Sequence, residues 1–91
     1  MKVILKVNFD SISNAEFYIE NPPVIPVEGD SVSFEWKDFS SDKKEIKKLE
    51  NYDKNHIWMV NILFKRFSKK QALVQIVLME EGEYSRWKTE R

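Results

Sequence analysis

Polar and apolar positions alternate with two different periods along this 91-residue chain. Val3, Leu5, Val7 and Phe9 alternate with Ile4, Lys6 and Asn8, a period of two that predicts a half-buried strand. The polar run Asp-Ser-Ile-Ser-Asn at 10–14 supplies turn chemistry. Ala15, Phe17 and Ile19 then alternate with Glu16, Tyr18 and Glu20, so the first two strands are expected to pair as a hairpin. Further on, Val32, Phe34 and Trp36 oppose Ser31, Ser33 and Glu35 in the clearest strand pattern of the chain.

Over 40–52, SSDKKEIKKLENY, the period lengthens. Ile46, Leu49 and Tyr52 recur every three residues, and Asp42 followed by Glu45 has the form of a capping box. The reading is a helix of two to three turns, too short to stand without leaning on a sheet. His56 to Phe67 returns to a strand, with Trp58, Val60, Ile62 and Phe64 expected on one face and Ile57, Met59 and Leu63 on the other. Two apolar faces predict a central strand, or one whose far face the helix covers. Ser68 to Gln71 reads as a hairpin loop. Ala72, Val74, Ile76 and Leu78 follow on one face of a last strand, with Leu73, Val77 and Met79 on the other.

The order β-β-β-α-β-β predicts a mainly β fold. The expectation is a five-stranded, small, partly open barrel with one short helix between strands three and four. The short strands and a sharp proline corner favour an SH3-like over an OB-like form. One domain over 1–81 is expected, followed by a charged tail over 82–91 that carries Tyr84 and Trp87.

The corner is NPPVIPVEGDSVSFEW, residues 21–36. Pro22, Pro23 and Pro26 have no N–H to give a ladder, so the stretch is no central strand. Asn21 and Ile25 precede prolines and are expected to be extended. Gly29 is free to take a positive φ in the turn Val27-Glu28-Gly29-Asp30. Pro23 to Pro26 is formally P-x-x-P, but Glu20 and Glu28 flank it in place of a basic residue, which argues against a proline-ligand role. The run Pro26 to Val32 resembles a group of short uncharacterised small barrel proteins, SH3-like or OB-like, that place P-x-x-G-D-x-V before the third strand. That resemblance implies a fold class and carries no active site.

Composition narrows the chemistry. The chain has no cysteine and one histidine, His56, so neither a thiol nucleophile nor a multi-histidine metal site fits within it. A Ser68–His56–Asp53 set has no supporting spacing, and two glycines cannot build a phosphate-cradling loop. No catalytic, metal or cofactor role is expected. Lys6 breaks the N-terminal apolar run, and no stretch reaches membrane-span length; a soluble, unprocessed, cytoplasmic protein is the expectation.

Charge adds a direction. The neutral total hides −5 over 1–42, +6 over 43–70 and −1 over the rest. A binding or accessory module acting on protein, itself included, is therefore expected, with opposite surfaces meeting. The alternative is a single-stranded nucleic-acid-binding barrel using the basic segment 43–70, with Phe67 and Phe39 as stacking surfaces. The candidate interaction residues are Lys43, Lys44, Lys47 and Lys48 on the helix, Lys65, Arg66, Phe67, Lys69 and Lys70 around the last hairpin, and Tyr84 and Trp87 in the tail.

Overall fold

In the computed structural model the described residues are 2–10, 12–55 and 57–90. Five strands form one curled sheet: β1 Lys2–Phe9, β2 Phe17–Glu20, β3 Ser31–Val32, β4 Trp58–Phe67 and β5 Gln71–Glu80. Their order across the sheet is β2-β1-β5-β4-β3. The fold is thus mainly β, a small open barrel, with helix α1 Lys43–Asp53 between the third and fourth strands. The two hairpins β1–β2 and β4–β5 form as the alternation predicts. What joins them is a parallel β1–β5 pair over the full length of β1, which local patterning does not reveal.

The concave face holds the core. Leu5, Val7 and Phe9 from β1 meet Val74, Ile76 and Leu78 from β5 in register, and all are buried. Aromatic rings fill one end. Phe9 lies 5.9 Å from Phe17, 5.6 Å from Trp36 and 5.0 Å from Trp58 between ring centroids, in edge or tilted contacts. Each fully buried side chain of this size contributes about 1.5–3 kcal/mol relative to exposure.

Helix α1 lies over that aromatic end. Asp42 Oδ1 accepts from the backbone N–H groups of Lys44 (3.1 Å) and Glu45 (3.3 Å), a cap worth about 1 kcal/mol. Glu45 does not complete the expected box. It accepts instead from the Ser13 hydroxyl at 2.6 Å and ties the β1–β2 loop to the helix, while Asp42 N–H bonds the Ser40 hydroxyl. Leu49 is fully buried, and Ile46 and Tyr52 pack beside it on the face the three-residue spacing selects.

Three local expectations are corrected. The run Val32, Phe34, Trp36 is not a long strand: pairing stops after Val32, and Trp36–Asp38 is a 3₁₀ turn. All three side chains still enter the core, so the alternation reported burial and not extension. Asn21 is not extended but left-handed at φ 49°. Asparagine tolerates that region, and here its Oδ1 accepts from Val3 N–H at 2.9 Å while its own N–H bonds the Val3 carbonyl. The third correction concerns β4 and defines the site below. The Gly29 turn forms as predicted, with φ 93°, an Asp30 N–H to Val27 carbonyl bond of 3.0 Å, and the Asp30 carboxylate on Val27 N–H at 2.8 Å.

The tail is helical. Helix α2, Glu81–Thr89, folds back on β4 and β5, and Tyr84 is buried with Trp87 5.8 Å away. The Gly29 turn fits beneath it, since a Cβ there would stand 3.4 Å from the Tyr84 hydroxyl. No helix among the described residues is long and apolar enough to cross a membrane.

Candidate functional site

Strand β4 changes character in its middle. Val60 pairs with Leu78 and Ile62 with Val77, so Asn61 is one residue too many and forms a β-bulge. One extra residue reverses every later side chain. Before the bulge, Trp58 and Val60 point into the core; after it, Leu63 does so and Ile62 and Phe64 face outward. The expected shared face of Trp58, Val60, Ile62 and Phe64 is therefore split. Ile62 is 51 % exposed and Phe64 53 %.

The bulge also reverses the hydrogen-bonding edge. Val60 N–H bonds the Asp30 carbonyl at 2.9 Å and its own carbonyl accepts from Gly29 N–H at 2.8 Å, both away from β5. At the far end, Ser68 N–H bonds the Gln71 carbonyl at 2.8 Å, so that pair faces inward to the ladder. Alternating back from Ser68 places the backbone groups of Arg66, Phe64 and Ile62 toward β5. Those of Leu63, Lys65 and Phe67 then point to the other side. Strand β3 reaches only Trp58 and Met59, so it covers none of them. Residues 62–67, about 20 Å of strand, form an open edge.

This edge carries much of the predicted surface. Lys65, Arg66, Lys69 and Lys70 are exposed along it and around the hairpin, and Phe67 is 68 % exposed among them. Outward-facing Ile62 and Phe64 adjoin Val77 and Leu73 of β5, with Ile4 of β1 beyond. The helical lysines are elsewhere. Lys43, Lys44, Lys47 and Lys48 are exposed on α1, which Tyr52 and Asp53 fasten to Trp58 at the opposite end of β4. The two lysine groups therefore do not merge into one face. Tyr84 is inside the fold, and Trp87 packs against it half-buried.

Asp53 has a structural task. Its two carboxylate oxygens accept the indole N–H groups of Trp36 and Trp58, at 2.7 and 2.5 Å. A carboxylate at a helix C-terminus opposes the macrodipole, and the two charge-assisted bonds offset that cost. Ser68 lies at the far end of β4 from Asp53, so those two do not meet; His56 lies outside the described residues. Beside Asp53 the Tyr52 ring stacks on Trp58 at 4.0 Å. Burial, then the carboxylates of Glu80, Glu83, Asp53 and Glu81, push the Tyr52 hydroxyl well above the usual tyrosine range.

Sequence reasoning missed two features. The open edge follows from the bulge, whose only local sign is the polar Asn61 inside an apolar run. The prolines, which the sequence presents as a plain corner, line an apolar cleft of about 410 Å³ together with Leu5, Ile19, Phe34 and Phe39. Comparison of the chain with known protein families, curated proteins and solved structures finds no match.

Proposed function

We propose that this protein is a small interaction module that takes an extended polypeptide strand on the open edge of β4. One observation carries the reading: by the β4–β5 register Leu63, Lys65 and Phe67 direct backbone N–H and C=O groups outward, where no strand among the described residues pairs with them. A strand laid there gains main-chain bonds for affinity, while Ile62 and Phe64 on one face and the basic hairpin on the other select its side chains. Apolar residues alternating with acidic ones fit that edge. The finer reading of the barrel as SH3-like rests on the two-residue β3 and the proline corner; the parallel β1–β5 pair departs from an all-antiparallel barrel.

The test is an amide-resolved titration of labelled protein with a blocked heptapeptide alternating valine and glutamate. Shifts centred on the amides of Leu63, Lys65 and Phe67 are expected. Shifts elsewhere only, or none at millimolar peptide, overturn the reading.

A second reading has its own observation. Phe67 offers an exposed ring between Lys65, Arg66, Lys69 and Lys70, the pairing of stacking surface and cations that single-stranded nucleic acid uses. It draws on the hairpin alone, since the α1 lysines lie at the other end. An oligothymidine binding isotherm that weakens with salt, and weakens again in Phe67→Ala, supports it; a salt-independent or absent signal removes it.

A further inference from the structure

The occupant of the β4 edge can be named from the edge itself. We infer that it is the β4 edge of a second copy, paired antiparallel about a two-fold axis that passes beside Phe64. This inference rests on the strand-addition reading above.

Alternation limits the registers. Only residues whose backbone groups point outward can exchange bonds across the new interface, and these are Leu63, Lys65 and Phe67. Of the two-fold pairings these three residues allow, Lys65 opposite Phe67 sets Arg66 against Arg66, Phe67 opposite itself sets Lys65 against Lys69, and Leu63 opposite itself joins no second outward residue, which leaves Leu63 opposite Lys65, or Lys65 opposite itself. The second register stacks two ammonium groups directly across from each other, which is destabilising. The first has no like charges opposed. Leu63 of each copy faces Lys65 of the other, Ile62 faces Arg66, and Phe64 faces Phe64 at the close, non-hydrogen-bonded position where aromatic pairs gain most.

Charge then closes the ends. In this register Phe67 stands opposite Asn61, so the Ser68–Lys70 turn of one copy abuts the place where Gly29 and Asp30 hold Val60 in the other. The turn at 27–30 carries Glu28 and Asp30, both exposed. Lys69 and Lys70 thus arrive beside two carboxylates, twice over by symmetry. Glu28 and Asp30 against Lys69 and Lys70 become complementary surfaces of one isologous interface, the commonest form of protein assembly. The same symmetry uses the β4 edge of each copy once, so this pairing stops at two copies.

The chain has no cysteine, which makes the register directly readable. Phe64→Cys should form an intermolecular disulfide under mild oxidation, since directly opposed non-hydrogen-bonded pairs sit within bridging distance. Ile62→Cys and Arg66→Cys, each about four residues from its own symmetry mate, should cross-link at least about tenfold more slowly. Sedimentation of the unmodified chain should show a concentration-dependent dimer. Lys65→Pro removes an N–H that the β4–β5 ladder does not use, yet should weaken dimerisation at least about tenfold by removing two symmetry-related bonds. Lys69→Glu with Lys70→Glu should weaken it without touching the strand, which keeps the test valid if the proline variant fails to fold. Equal cross-linking at 62, 64 and 66, or a monomer at every concentration, overturns the second copy as occupant. If the heptapeptide still shifts Leu63, Lys65 and Phe67 in that monomer, strand addition survives with a foreign partner; if it does not, both readings fall.

Discussion

The two halves of β4 are made of similar residues and do opposite things. Trp58 to Val60 is closed on every side: β5 and β3 pair with its edges, Asp53 holds the Trp58 indole, and α1 and α2 pack around it. Ile62 to Phe67 has β5 on one edge and, among the described residues, no paired strand on the other, with Ile62, Phe64 and Phe67 more than half exposed. Hydrophobicity does not separate them, since both are rich in large apolar side chains. The bulge at Asn61 does. It reverses faces and edges together, so one apolar strand serves the core in its first half and presents surface in its second.

Asp53→Ala tests the closed half alone. It leaves the indole N–H groups of Trp36 and Trp58, both buried, without their acceptor. At about 1–3 kcal/mol for each of the two unsatisfied buried donors, a loss of about 2–6 kcal/mol is expected in urea unfolding. Amides at Leu63 to Phe67 should keep their exchange rates relative to the whole, because the open half does not depend on this clamp. A change confined to that edge would break the proposed independence.

How much of this was legible follows from the range of each interaction. Strands β1 and β5, the helix and the Gly29 turn are set by neighbours within a few residues, and their patterns read correctly. The parallel β1–β5 pair joins Val3 to Ala72, too far apart in sequence for periodicity to report. Trp36 shows a subtler limit. Its alternation with Phe34 was real, but the core it enters is lined from three sides, so the backbone turns and need not extend. The lysines of 43–70 were counted together because they are close in sequence; the length of β4 then separates them. The open edge was hidden because an edge is a missing neighbour, and no residue encodes its own missing neighbour.

Alkaline pH gives a smaller effect with a definite sign. Tyr52 titrates above its ordinary 10.0 in the folded state, so folding favours the neutral ring. Its contribution is fully present below the unfolded value and is lost as pH rises above about 10. Tyr52→Phe should therefore lose less stability than the parent between neutral and strongly alkaline buffer, read as the difference between the two urea midpoints. Identical pH profiles would show that the Tyr52 hydroxyl is not kept neutral by burial and the surrounding carboxylates.

The smallest expected change is the sharpest comparison. Val60→Thr and Ile62→Thr place the same β-branched polar side chain two positions apart on one strand. At Val60, which is fully buried, the threonine hydroxyl has no room for water, and a cost of about 1–3 kcal/mol is expected. At Ile62 the hydroxyl meets solvent and β-propensity is preserved, so stability should stay within about 0.5 kcal/mol. Regular alternation would put both residues on one face and make the two costs equal. Unequal costs with Ile62 near zero report the reversal at Asn61 directly, and equal costs would return β4 to the single face its sequence pattern predicts.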